Sequence, residues 1–182
     1  TVAFLAQLPH AAPQLKSHIA IAKHNGVTDS QVDEILKIAA VRDESDFAKQ
    51  NVFGKGNLNT AYAKYFIGDS YLNPLTNPQE TALHMSNVTF EPATRNNWHV
   101  HHATAGGGQI LICTAGEGWY QEWGKPAVSL TPGMVVTIPA NVKHWHGAKA
   151  DSWFSHIAIE VPGENQSNEW LEPVSDEEYS KL

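Results

Sequence analysis

The chain has 182 residues, 42% of them hydrophobic and 17% charged, and carries a net charge of −7 with histidine neutral. With a mean hydropathy slightly below zero, it has the composition of a globular chain that can bury the core of one domain plus an extension. No run of lysine and arginine stands out, which excludes nucleic acid and acidic membrane surfaces as expected partners. Cys113 is the single cysteine, so neither an internal disulfide nor a C-x-x-C redox pair can form, and a reducing, cytoplasmic setting is expected. The opening Thr1-Val2-Ala3-Phe4-Leu5 is apolar but is interrupted by Gln7, Pro9 and His10, with no positive region before it. Neither a signal peptide nor a membrane span is expected.

In chain order, the first forty-odd residues predict helices. Pro13 suits a first helical position, and Leu15, Ile19 and Ala22 recur at helical spacing until Gly26. Thr28 with Gln31 makes a capping-box pattern, followed by an apolar stripe at Val32, Ile35, Leu36 and Ala39. From about Val41 to Asn59 this periodicity is lost, as in a linker. An aromatic-rich run from Tyr62 to Leu72 and the clusters Asn73-Pro74 and Asn77-Pro78 come next.

The rest predicts short strands separated by turn residues: Ala82 to Glu91, Asn97 to His101, Gln109 to Ala115, Gly118 to Glu122, Ala127 to Leu130, Val135 to Ile138, His144 to Gly147 and Phe154 to Val161. Such spacing marks an all-β sandwich or barrel. The expected organisation is a helical arm over 1–45, a linker over 46–61, a barrel over 62–165 and a polar, acidic tail over 166–182 held on the barrel by Trp170 and Tyr179. Two short helices cannot close a core alone, and an edge strand left bare invites pairing, so a homodimer is expected.

Histidines concentrate at two places, Trp98-His99-Val100-His101 and Lys143-His144-Trp145-His146-Gly147, with Gln109 eight residues after His101. Side chains alternate along a strand, so His99 and His101 share a face, as do His144 and His146. Two such pairs facing one barrel interior make a metal pocket, because neutral imidazole is the commonest protein ligand for transition metals. A third histidine and the Gln109 oxygen would complete four protein ligands. Positions for water or substrate would stay open, as in catalytic sites. His102 falls on the opposite face and is expected at the surface; His10, His18, His24 and His84 are scattered. Cys113 is expected as a small buried hydrophobe, and Trp98, Trp119, Trp123 and Trp145 as core or pocket wall.

This stretch resembles the cupin superfamily. His99-Val100-His101, then Gln109, then Gly116 with six residues between, follow its first motif; Gly133, five residues, Pro139 and then His144 follow its second. Gln109 stands where the motif has Glu, the gap before it is lengthened by Ala105-Gly106-Gly107-Gly108, Asn141 replaces a glycine and Ala148 an asparagine. Asn tolerates the positive φ that such a glycine provides. A closer likeness, through Gly108-Gln109-Ile110-Leu111 and Lys143-His144-Trp145-His146-Gly147-Ala148, is to small cupins associated with carboxymuconolactone decarboxylase and to the bacterial cupin hydroxynitrile lyases. Val88 to Pro92 and the tail residues Trp170, Glu172 and Tyr179 share in it. Leu15 to Ala40 resembles the last helices of a carboxymuconolactone decarboxylase domain, as a remnant without independent catalysis.

The resemblance implies a mostly β, cupin-type double-stranded β-helix, or jelly-roll barrel, with a short helical arm. It implies that His99, His101, Gln109 and His144 hold one divalent metal: manganese, iron or zinc, with nickel or copper as further candidates. His146 would be a general base or a group that orients substrate, and His156 matches a pocket histidine of the lyase group. Three imidazoles and an amide are all neutral, so the metal would keep its full charge and Lewis acidity. The expected function is lyase chemistry on a small oxygenated substrate, decarboxylase-like or hydroxynitrile-lyase-like. The alternatives are a metal-dependent dioxygenase and a binding module without catalysis.

Overall fold

The computed structural model describes residues 1–6, 12–77 and 79–182; Gln7, Pro9, His10, Pro78 and the side chain of Ala39 lie outside the described residues. The chain divides into two compact units, Thr1–Lys49 and Gln50–Leu182. Among the described residues no helix is long and apolar enough to cross a membrane.

The first unit holds helices α1 (Val2–Leu5), α2 (Ala12–His24) and α3 (Asp29–Gln50). The capping box at the start of α3 is present: the Gln31 N–H donates to Thr28 Oγ1 at 3.3 Å and the Thr28 N–H to Gln31 Oε1 at 3.0 Å. The expected linker is corrected here, because α3 runs on through Val41 to Gln50. The run from Asp29 to Gln50 contains neither glycine nor proline, so the polar stretch at 42–46 continues the helix at little cost. Lys49 donates to Asp46 Oδ1 one turn back at 2.6 Å. Strand pairing already begins at Asn57, which leaves only residues 51–56 between helix and sheet.

The second unit is built of strands β1 (Asn57–Leu58), β2 (Phe66–Ile67), β3 (Ser70–Pro74), β4 (His84–Phe90), β5 (Arg95–Asn96), β6 (His99–His102), β7 (Ala105–Gly106), β8 (Gln109–Gly116), β9 (Gly118–Glu122), β10 (Val128–Leu130), β11 (Val135–Ile138), β12 (His144–Ala148), β13 (Phe154–Glu160), β14 (Gly163–Glu164) and β15 (Ser167–Trp170), then the short helix α4 (Asp176–Tyr179). One antiparallel sheet runs β1-β3-β4-β13-β8-β11. The second runs β10-β9-β12-β5-β2, with β6 paired to both β12 and β15. The two antiparallel sheets form a β-barrel, and every strand expected from Ala82 onward is present, with ends shifted by two residues at most.

Alternation explains where the core lies. Along β8 the residues Gln109, Leu111, Cys113 and Ala115 are buried while Ile110, Ile112 and Thr114 between them are half-buried. Leu111 packs with Phe90, Leu130, Ile138 and Phe154 from both sheets. Inward positions further along change character: His144 and His146 precede Ala148 on β12, and His156 follows Phe154 on β13. One end of the barrel is therefore apolar and the other lined with imidazole and amide. Cys113 belongs to the apolar end, where burial pushes its thiol up to about 11.

The outer face of the second sheet is covered by the tail. Trp98 and Trp145 pack there with Val174 and Tyr179, Tyr179 Oη donates to Ala148 O at 2.7 Å, and the buried Arg95 donates to Val174 O and Asp176. The expectation that all four tryptophans line core or pocket is corrected for Trp123, which is 54% exposed beneath the Lys143 ammonium, 3.6 Å from its ring centre.

Two turn positions bear on the site. Asn141 has φ 66° and holds Ala103, donating from Nδ2 to its carbonyl at 2.9 Å. Gly133 has φ 90°, and a Cβ there would meet nothing within 4 Å. Gly133→Ala is accordingly expected to cost only the backbone strain, about 1–2 kcal/mol, measured by urea unfolding, with no change in the ligand set described next.

Candidate metal centre

Strand β6 sets His99 and His101 on the inner face, and its pairing with β12 places His144 directly across from His99. Ring nitrogens of His99, His101 and His144 all lie within 4.8 Å of one another, and all three residues are buried. His102 points outward, half-exposed, to Glu169 Oε2 at 2.8 Å. Gln109 stands at the first position of β8, opposite Ile138 of β11. The glycines before it form a two-stranded ribbon in which β7 pairs with β14. Gly108 is required in that ribbon, since at φ 91° a Cβ would stand 2.3 Å from Ile138 O. The insertion thus delivers Gln109 to the cavity wall.

Hydrogen bonds fix how the imidazoles face. His99 Nδ1–H donates to Asn97 O and His144 Nδ1–H to Val142 O, each at 2.9 Å. A carbonyl only accepts, so the ring proton sits on Nδ1 and the Nε2 lone pair is free. His101 Nδ1 lies 2.8 Å from Asn168 Oδ1 with the same consequence. His101 Nε2, His144 Nε2 and Gln109 Oε1 are buried without a hydrogen-bond partner. Each such orphan costs about 1–3 kcal/mol. Converging partnerless acceptors are what a cation would satisfy, so the residues fit a divalent metal.

Electrostatics agree. Burial, then the neighbouring His144 and His101, hold His99 well below the ordinary imidazole value. Burial brings His144 down to about 4 and lowers His101 against the opposing Asn168 and Glu160. All three are neutral near pH 7, as metal ligation requires.

His146 and His156 form a second group. His146 lines the cavity with its ring centre 5.5 Å from that of His99 and 6.1 Å from that of His144, but it is outside the set of three whose ring nitrogens converge within 4.8 Å. Asn96 Oδ1 accepts from the His146 backbone N–H at 3.0 Å, which orients the amide so that Nδ2 faces the ring, 3.1 Å from Nε2. Asn96 Nδ2 lies nearer to Nε2 than to Nδ1 of His146, which is 3.3 Å away, and His146 Nδ1 lies 3.1 Å from His156 Nε2; with Nε2 as the acceptor, the ring proton sits on Nδ1 and is directed at His156. Burial, then His156 and His99, push His146 well down, and burial brings His156 to about 4.

The cavity in front of these groups measures about 220 Å³. Phe66, Leu72, Val88 and Trp170 give it apolar walls. His84, read from sequence as scattered, stands at the cavity rim across the sheet from Glu160, with 3.7 Å between Nδ1 and Oε2. Asn96 and Asn168 were not identifiable as site residues by motif, and Trp170, named from sequence only as a tail residue that shares the resemblance and holds the tail on the barrel, lines the cavity. The one signal is that Asn168 and Trp170 alternate with Ser167 and Glu169, which is too short a pattern to stand out in a polar tail.

No protein-family model matches the chain. Over 120 residues it is 38% identical to an (R)-mandelonitrile lyase of Granulicella tundricola, covering 65% of this chain and 88% of the lyase. The structure matches the crystal structure of a cupin-like protein from Thermotoga maritima with a TM-score of 0.62 and 39% identity, covering 71% of this chain and 95% of the other.

Proposed function

Because the chain belongs to the cupin superfamily, we propose that it is a divalent-metal lyase that cleaves a carbon–carbon bond in a small oxygenated substrate, with release of cyanide from an aryl cyanohydrin as the preferred reaction. The observation that carries this is the convergence of the buried His99, His101 and His144 ring nitrogens, with His101 Nε2 and His144 Nε2 partnerless and the partnerless Gln109 Oε1 on the wall of the same cavity. The similarity to a mandelonitrile lyase supports the choice of reaction. His99, His101, Gln109 and His144 would hold the ion, for which manganese, iron or zinc suit this nitrogen and oxygen set. Bound there, the ion supplies Lewis acidity at a substrate oxygen, undiminished by any ligand carboxylate.

The chain's own groups do the rest. Phe66, Leu72 and Trp170 take the aromatic body of the substrate and keep water away. His146, neutral near pH 7, takes the hydroxyl proton at Nε2, giving up the bond from Asn96, while its Nδ1–H stays on His156. The bond to the nitrile carbon breaks, the aldehyde forms, and His146 returns the proton to the departing cyanide. Asn96 and His156 orient the base. We also propose a reducing, cytoplasmic setting, consistent with an inert lone thiol at Cys113, and a homodimer, to be checked by sedimentation. The α2 and α3 helices we regard as a carboxymuconolactone decarboxylase remnant without a reaction of its own.

Metal-loaded protein is expected to convert mandelonitrile to benzaldehyde and cyanide, to stop when treated with chelator, and to be indifferent to removal of oxygen. Dependence on oxygen would transfer the site to dioxygenase chemistry. Turnover of a lactone acid in place of mandelonitrile would transfer it to decarboxylation, and tight ion binding with no turnover of either would leave a binding module.

A further inference from the structure

We propose that the tail strand β15 is a positioning element of the metal centre, with Asn168 holding His101 and Trp170 holding His99. The inference rests on the reading of His99, His101 and His144 as metal ligands. Strand β15 pairs along β6 with Asn168 opposite His101 and Trp170 opposite His99. The three imidazoles differ in what holds them. His99 and His144 are each held through Nδ1 by a carbonyl two residues earlier in their own segments. His101 has no such local carbonyl partner; its Nδ1 reaches Asn168 Oδ1, 67 residues downstream, at 2.8 Å. The proton position on His101, and so the availability of its Nε2, depends on the tail.

Trp170 acts on the neighbouring ligand by packing. Its ring stacks on His99 at 4.8 Å between centres and 26° between planes, and Tyr65 also stacks on it at 4.6 Å and 7°. The stack restrains the His99 ring plane. Beyond β15 the pairing continues, with Asn97 Nδ2 donating to Leu171 O at 3.0 Å and the Leu171 N–H to Trp98 O at 2.8 Å. The register of Asn168 and Trp170 is thereby pinned from the tail side. Ser167 and Glu169 alternate to the outer face, where Glu169 meets His102. The strand therefore presents one face to the metal ligands and the other to solvent.

Partners that orient ligating imidazoles typically contribute about 10–100-fold in metal affinity. Asn168 is exposed, so its replacement leaves the core intact. Zinc binding to the metal-free full chain, measured by chelator competition, is expected to weaken by about 10–100-fold in Asn168→Ala and to be largely restored in Asn168→Asp, which keeps an acceptor. Glu169→Ala, on the same strand but facing away, is expected to bind like the parent. Nitrogen NMR of the imidazoles is expected to show His101 protonated at Nδ1 in the parent and as a tautomer mixture in Asn168→Ala. Unchanged zinc affinity and an unchanged His101 tautomer in Asn168→Ala, or equal weakening in Glu169→Ala, would overturn the positioning role alone. A parent chain that takes up no zinc or other divalent ion would overturn the metal reading itself, and this inference with it.

Discussion

His144→Leu is expected to yield a folded barrel that no longer gains stability from a divalent ion. In the parent, an ion supplied at about a thousand times its dissociation constant should stabilise the fold by about 4 kcal/mol, and that increment should vanish. The metal-free variant, by contrast, should stay within about 1 kcal/mol of the parent. His144 is 0% exposed, and its Nε2 has no partner. Burying that orphan costs about 1–3 kcal/mol, which leucine removes. Against this stand the lost bond from Nδ1–H to Val142 O and an imperfect fit of the new side chain, together about 1–2 kcal/mol. Thermal unfolding with and without zinc reads both quantities. A metal-free variant several kcal/mol weaker than the parent would mean that His144 is held for packing, and that its open nitrogen has no ligand to await.

The contrast between His144 and its supporting partners shows how far sequence alone reaches. Strands β8, β9, β11 and β12 were legible because alternation over four or more residues, bounded by Gly116-Glu117-Gly118 and Pro132-Gly133, is a local signal. The His-x-His pairs were legible for the same reason, and Asn141 could be assigned its positive φ from residue type. Partners that arrive from elsewhere were not. Asn96 meets His146 across 50 residues and Asn168 meets His101 across 67, contacts that exist only once β5 and β15 have paired. The residues of β15, Ser167-Asn168-Glu169-Trp170, have little intrinsic preference for a strand; pairing with β6 makes them one. The end of α3 failed for the opposite reason. Loss of an apolar stripe removes the reason to pack a helix face, but without glycine or proline it does not end the helix.

Acid is expected to destabilise the metal-free chain steeply as its buried histidines are forced to take up protons. His156 titrates near 6.5 when unfolded and is brought to about 4 by burial in the fold. Between those values the unfolded chain binds the proton and the folded chain does not, so stability is fully present above 6.5 and falls as the pH drops. At about 1.4 kcal/mol per unit, His156 alone accounts for about 3 kcal/mol by the time its folded value is reached. His144 contributes on the same scale in the absence of metal, and His146 and His99 act in the same direction. His156 and His144 together reach the lower end of the stability of an ordinary domain, about 5–15 kcal/mol. His102, raised by its hydrogen bonds to Glu169 and Asn141, works the other way, but it is exposed and its effect is screened. Urea unfolding across the range from neutrality to about pH 4 should therefore show a steep loss, shallower by close to one proton in His156→Leu. Divalent metal should displace the loss to lower pH in the parent, because the ion binds only neutral imidazole, and should have no such effect in His144→Leu. A stability that stays level across that range would show that these histidines take up protons in the folded chain, and the neutral ligand cluster would have to be abandoned.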